Sequence, residues 1–213
     1  MLTVHHLGVS QSERIPWLCE ELEIPYVLKR YDRDSKTGLA PAEYKALHPM
    51  EMAPVITDGN VALAESGAIM EYINTKYGKG RLALPPDHPD YANYLFWFYY
   101  ANATLMPAGM ALMVGGMIDP SMQNPMMGIF KKREDLGFSA MEDRLGKVQY
   151  FAGAGFTMAD IIMFFPLTTR RAFLKKDLTP FPKLRAYLKR IGERPAYQKA
   201  MAASDPGMTL QLT

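Results

Sequence analysis

Three short segments of this 213-residue chain hold residue types at spacings that could do chemistry. Ser10-Gln11-Ser12-Glu13-Arg14 lies where a short alternating run gives way to an amphipathic pattern. The first N–H groups of a helix lack intrahelical partners and the dipole there is positive, so this turn welcomes an anion. Ser10-x-x-Glu13 has capping-box spacing, and Ser12 alone could cap the helix. A hydroxyl pointing from the same turn into a cleft would donate a hydrogen bond to a bound thiolate. Capping and donation are compatible, and both serines stay open for the second role. Met52-Ala53-Pro54-Val55 opens a predicted strand with proline, which is tolerated at a first position or a special turn. A cis peptide before Pro54 would suit it and turn the Ala53 backbone N–H and C=O toward an extended peptide ligand. Glu65-Ser66 begins a predicted helix; Ser66 offers a hydroxyl and N–H groups to a carboxylate, and Glu65 a partner for an ammonium. A capped helix with a solvated Glu accounts for the same two residues.

Other candidates read as structural. Thr157-x-x-Asp160 ahead of an apolar run has capping-box spacing with Asp in the place of Glu. His5, His6, His48 and His88 show no zinc-ligand spacing, and no Ser, His and acid set stands out as a hydrolase triad. Cys19 is the only cysteine, which excludes an internal disulfide and a CxxC site; on the apolar stripe of a helix it reads as an inert core residue. No metal is expected.

These segments need elements to hold them. Leu2, Val4 and His6 alternate as a strand; Ile15, Leu18, Cys19 and Leu22 form a helical stripe, with Pro16 in its first turn; and Tyr26 to Tyr31 is a second strand. Strand, helix and strand within about thirty residues make a βαβ unit with a parallel pair. A short helix is predicted over Pro41 to Leu47, and a hairpin around Asp58-Gly59-Asn60 from Val55 to Ala64. A helix follows over Glu65 to Tyr77. Beyond the Gly- and Pro-rich break at 79–87 only helices are predicted: Tyr91 to Gly115 with a kink at Pro107, Phe130 to Val148, Thr157 to Leu174, Leu184 to Ile191 and Ala196 to Ala203. The domains are thus expected at 1–78 and 88–213, joined by the linker 79–87.

Composition narrows the function classes. With 48% hydrophobic and 22% charged residues the chain should fold around a real core. A net charge of +2 argues against nonspecific nucleic-acid binding. The first eighty residues carry −3 and the remainder +5, a contrast that fits two modules and would suit a dimer interface. The N-terminus shows no secretory pattern, so a cytoplasmic location is expected. Leu95 to Ile118 is apolar but interrupted by Asn102, Thr104, Pro107 and Gly109, and reads as a buried or crevice-lining helix in preference to a membrane span. The 16 methionines, many of them here, suggest an adaptable apolar surface.

The order of these signals resembles the cytosolic glutathione S-transferases over essentially the whole chain. Ser10 through Leu22 resembles that family's first turn and helix, and Ala53 through Gly59 with Ala64 through Ile69 its glutathione-site core. Phe156 through Asp160 resembles its C-terminal capping box, and Phe181 through Tyr187 with Arg194 through Tyr197 its closing helices. The resemblance implies an α/β thioredoxin-like N-terminal domain and an all-α helical-bundle C-terminal domain, in a homodimer. It makes Ser10 the hydroxyl facing the sulfur of reduced glutathione, as in the serine-type, bacterial-type members, with Ser12 its local rival. Ala53, before the family's cis-proline Pro54, would hold the cysteinyl backbone, and Glu65 with Ser66 the γ-glutamyl end. Two departures stand out. Glu51 and Met52 replace a Gly-Lys pair common among relatives, removing a cation near the glycyl carboxylate that Lys45 or His48 would have to replace. Asn102 stands where some similar sequences have an acid that reaches the partner subunit's ligand.

The implied activity is addition of the glutathione thiolate, a co-substrate, to a hydrophobic electrophile. The second substrate would bind between the modules against Tyr99, Met106, Met110 and Met113. The alternatives are a module of the same fold that binds glutathione or apolar ligands without turnover, and glutathione-dependent lyase, isomerase or dehalogenase chemistry at the same site.

Overall fold

The computed structural model describes residues 1–174 and 176–213, which divide into two compact units. The first comprises Met1–Leu84 with Ile191–Leu210, the second Pro85–Arg190 with Gln211–Thr213.

In the first unit, β1 (Leu2–Leu7), α1 (Arg14–Glu21) and β2 (Val27–Tyr31) form the βαβ unit, the strands parallel from Thr3 opposite Val27 to Leu7 opposite Tyr31. After the short α2 (Ala42–Lys45) comes the hairpin of β3 (Val55–Asp58) and β4 (Val61–Ala64), then α3 (Ser66–Lys76). The sheet order is β2-β1-β3-β4, with β3 antiparallel to both neighbours, which is the mixed sheet of a thioredoxin-like domain. Gly59 turns the hairpin with φ +59°, a conformation that costs glycine alone no steric penalty.

The two-residue period of β1 sends its two histidines to opposite faces. His5 shares a face with Leu7 and hydrogen-bonds Tyr31 Oη at 2.9 Å; Leu7, Tyr31, Tyr44, Val55 and Ala64 form an apolar cluster there. His6 turns the other way and is completely buried beside Ser12 and Asp205. That face is closed partly by α10 (Pro195–Ser204), which packs on α1: the rings of Trp17 and Tyr197 meet edge-on at 4.9 Å, and Arg194 makes two 2.6 Å bonds to Glu21. The expected helical domain of 88–213 is therefore redrawn. Its last helix belongs to the first unit, because the apolar stripe of α1 needs a cover that the strands do not supply.

The described residues of the second unit form helices and no strands: α4 (Tyr91–Tyr100), α5 (Met106–Ile118), α6 (Pro125–Leu145), α7 (Met158–Leu167), α8 (Thr169–Leu174) and α9 (Pro182–Gly192), the last of which crosses the unit boundary. The kink expected at Pro107 is a π-helical segment, Ala101–Leu105, that joins α4 to α5. It takes up the ladder bond that proline cannot donate and the ring's clash with the preceding turn. The single helix expected over Thr157 to Leu174 breaks at Thr168 (φ −120°, ψ −98°), two residues after Pro166.

At the start of α7 the predicted capping box is formed. Thr157 Oγ1 accepts from Ala159 N, and Asp160, completely buried, accepts from the backbone N–H groups of Thr157 and Phe151, each at 2.9 Å, and from Tyr187 Oη at 3.0 Å. One apolar element departs from expectation. Tyr91–Ile118 is long and apolar enough to cross a membrane by length and composition, yet only 22% of its most apolar window is buried within the chain. Phe96, Tyr99, Met110, Val114, Met117 and Ile118 are exposed, so of the two readings offered for Leu95 to Ile118, buried or crevice-lining, the buried one does not hold.

Candidate active site

The first unit brings three of the predicted segments together through one side chain that sequence reasoning had not singled out. Gln11, on the 3₁₀ turn Gln11–Glu13, donates from Nε2 to the Ala53 carbonyl at 2.9 Å. Its Oε1 accepts from Arg14 Nη1 at 3.0 Å and from Ser66 Oγ at 3.5 Å, while Arg14 Nη1 also reaches Ser66 Oγ at 3.3 Å. Arg14 is completely buried, so its charge is used inside the site and not on the surface. Ser10's turn, the Ala53–Pro54 loop and the first residue of α3 are thereby held as one constellation.

The Ala53–Pro54 bond is cis, as expected. The Ala53 carbonyl, expected to face a ligand, already accepts from Gln11, which leaves one lone pair for anything else. Ser66 is buried at the N-terminus of α3; Glu65 before it is exposed, with φ +73°. Val9, just before Ser10, has φ +51°, and Glu51, just before Met52, has φ +50°. A β-branched valine in the left-handed region is costly, and such strain concentrates where a site must be shaped. Val9 is held there by its N–H, which donates to Asp205 Oδ1 at 3.0 Å.

Met52 is partly buried against the apolar cluster of Leu7, Tyr31, Tyr44, Val55 and Ala64, so at this position the chain packs where a cation would extend. His48 is also partly buried, and its Nδ1 accepts from Met50 N at 3.3 Å.

The two serines are not equivalent. Ser12 is completely buried, and Ser10 is 6% exposed. Ser12 Oγ accepts from Leu7 N at 3.1 Å and lies 2.9 Å from His6 Nδ1; His6 Nε2 lies 3.1 Å from Asp205 Oδ2. Ser10 Oγ accepts from Ser12 N at 3.2 Å, the predicted capping role, and lies 2.7 Å from both Leu7 O and Ser12 Oγ. A Ser, His and Asp chain does therefore exist, though no such set stood out in the sequence as a hydrolase triad. It escaped notice because Asp205 lies 199 residues from His6 in sequence. Burial pushes the Asp205 carboxyl up, but the hydrogen bonds from His6 and the Val9 N–H and the positive charge near it, Arg30 included, outweigh it and hold the group below its ordinary value, hence ionised. Cys19 is buried, and its thiol is pushed far upward by burial and by Glu20, which fits an inert core residue.

In the second unit Tyr99 and Met110 are exposed, and Met106 and Met113 are partly buried. None of the four lines the groove of about 410 Å³ between α4–α5 and α6, whose walls include Trp97, Tyr100, Pro107, Phe130 and Arg133.

Comparison with known proteins gives a consistent family. Residues 10–76 match the family model of the glutathione S-transferase N-terminal domain, and residues 105–195 that of the C-terminal domain. The chain is 32% identical to glutathione S-transferase 3 of Schizosaccharomyces pombe, over 92% of this chain and 85% of that protein. It is 29% identical to glutathione S-transferase GstB of Escherichia coli, over 85% and 88%. A crystal structure of a glutathione S-transferase from Actinobacillus pleuropneumoniae superposes with a TM-score of 0.88 at 32% identity, covering 97% of this chain and 95% of that one. A sphingomonad glutathione S-transferase solved in complex with glutathione shares the fold, with a TM-score of 0.75 at 20% identity and coverage of 97% and 100%. Domain matches in the right order, identity along nearly the whole length and the shared architecture establish that this chain belongs to the glutathione S-transferase family and is an enzyme of that class.

Proposed function

We propose that the enzyme binds reduced glutathione in its first unit, stabilises the thiolate with the Ser10 hydroxyl and adds it to a hydrophobic electrophile. The observation that carries this reading is the inequality of the serines. Ser12's oxygen is enclosed by Leu7 N, His6 and Ser10, whereas Ser10 retains slight exposure at the turn leading into α1. A free thiol has a pKa of about 8.5, so only a few per cent is ionised at pH 7. A hydroxyl donor beside a helix N-terminus that lowers this by one or two units raises the thiolate fraction roughly ten-fold or more. The Ala53 backbone would hold the cysteinyl portion, Ser66 and Glu65 the γ-glutamyl carboxylate and ammonium, and His48 or Lys45 the glycyl carboxylate in place of Met52. Catalysis then comes from thiol activation and from holding both reactants together.

The second substrate is proposed to bind against Tyr99, Met106, Met110 and Met113, an apolar and deformable set. The exposed apolar side chains of α4 and α5 support assembly as a homodimer. The packing of Met52 into the apolar cluster favours one alternative, a module that holds glutathione weakly and does not turn over. Calorimetric titration with glutathione, followed by conjugation to an activated chloronitrobenzene, separates the two. Saturable binding with turnover that falls at least ten-fold in Ser10→Ala supports the transferase reading; binding with no turnover above the uncatalysed rate supports the module.

A further inference from the structure

Resting on that reading, we propose that His6 receives the proton that leaves the glutathione thiol, through a buried wire of two serine hydroxyls, with Asp205 as the positioning residue that makes His6 able to accept it. The hydrogens can be assigned from the acceptors. An ionised Asp205 can only accept, so in the neutral ring the hydrogen sits on Nε2, 3.1 Å from Asp205 Oδ2, and Nδ1 presents a lone pair. Ser12 Oγ then gives its single hydrogen to Nδ1 at 2.9 Å in preference to Leu7 O at 3.3 Å. The 2.7 Å contact between Ser10 Oγ and Ser12 Oγ is left for Ser10's hydrogen, which has Leu7 O at 2.7 Å as its alternative acceptor. With the ring neutral and Ser10's hydrogen on Ser12 instead of Leu7 O, the wire points inward, from Ser10 to Ser12 to His6.

This arrangement has a consequence for a thiolate facing Ser10. If Ser10 turned its hydrogen outward with nothing else changed, its oxygen and that of Ser12 would meet lone pair to lone pair. Passing the thiol proton inward removes the conflict. The S–H bond breaks and an O–H bond forms at Ser10; Ser10's hydrogen passes to Ser12, and Ser12's to His6 Nδ1. The sulfur keeps the electron pair, and no electrons are transferred. Afterwards each donor is reversed: the imidazolium donates to Ser12 and to Asp205, Ser12 donates to Ser10, and Ser10 donates to the thiolate. The charged groups facing the new imidazolium are Asp205 and, beyond it, Arg30 Nη2 at 4.0 Å from Asp205 Oδ1. Since His6, Ser12 and Asp205 are all buried, the proton is held in the protein and not lost to water.

The test starts from the wild type. Glutathione is titrated calorimetrically at pH 7 in buffers of different ionisation enthalpy, which counts protons released, while thiolate is read by its ultraviolet absorbance. The ¹⁵N shifts of His6 are recorded with glutathione and with S-methylglutathione, which has no thiol proton. The expected result is about one thiolate formed with close to no proton released, and a doubly protonated His6 with glutathione only. In Ser12→Ala, where the wire is cut, any thiolate formed should release about one proton. Thiolate formed with one proton released by the wild type, and a His6 ring that stays neutral, overturns the relay while leaving thiolate stabilisation intact. Absence of thiolate at saturating glutathione overturns the reading beneath it, and the relay falls with it.

Discussion

Replacing Asp160 with alanine removes the group on which the start of α7 is built, and the size of the effect follows from its surroundings. Three donors end on this completely buried carboxyl at 2.9 to 3.0 Å: Phe151 N, Thr157 N and Tyr187 Oη. Each buried donor left without a partner costs roughly 1–3 kcal/mol, so the gross loss is about 3–9 kcal/mol. Against this stands the cost of keeping the group ionised. Burial raises its pKa to about 6, against the donors that lower it, and a shift of that size from the ordinary value corresponds to about 3 kcal/mol at neutral pH. The variant is relieved of that cost, leaving a net destabilisation of about 0–6 kcal/mol, with its middle near 3. For a chain of this length the middle value is a fall in Tm of roughly 6–12 °C by circular dichroism. The sign of the pH dependence follows from the raised pKa. The folded wild type is free of the penalty below the unfolded value near 4 and acquires it as pH rises toward 6. The stability gap between wild type and variant should therefore be wider at pH 4 than at pH 7. A loss above about 6 kcal/mol at pH 7, or a gap that widens with rising pH, would refute this account of the capping box.

Gln11→Leu deletes the bonds to Ala53 O and from Arg14 at similar side-chain volume, and should weaken glutathione binding by roughly 5- to 30-fold, at about 1–2 kcal/mol, by calorimetry. Met52→Lys restores a cation where the chain has thioether, and should tighten glutathione several-fold, with an advantage that shrinks as salt is raised from 50 to 500 mM; unchanged affinity would show that the glycyl carboxylate binds elsewhere. Sedimentation velocity at micromolar concentration should give twice the chain mass, and charged substitutions at the exposed Met110 and Met117 should shift the protein toward monomer if α5 forms the contact.

Much of this architecture was legible because its signals are local. Alternation in β1, the stripe of α1 and Asp58-Gly59 each act within a few residues, and the structure places β1, α1 and the hairpin where those patterns put them. The capping box at Thr157 and Asp160 was legible for the same reason, being a spacing of three. What escaped was non-local. Asp205 serves His6 and Val9 from the far end of the chain, and α10 joins the first unit through contacts with α1 that no periodicity announces. Gln11 was not singled out in the sequence; its role appears only when the Ala53 loop and Ser66 arrive beside it. The apolar run from Leu95 to Ile118 was read as buried or crevice-lining, since hydropathy registers composition and not which side is covered.

The central claim is that Ser10 stabilises a glutathione thiolate, and an ultraviolet difference titration against pH tests it directly, with wild type, Ser10→Ala and Ser12→Ala in parallel. The account predicts a bound-thiol pKa one or two units below that of free glutathione in the wild type, and no depression in Ser10→Ala. In Ser12→Ala it predicts a smaller depression, since Ser12 supports Ser10 without facing the sulfur. A wild-type titration identical to that of free glutathione, or a depression that survives in Ser10→Ala, would contradict it.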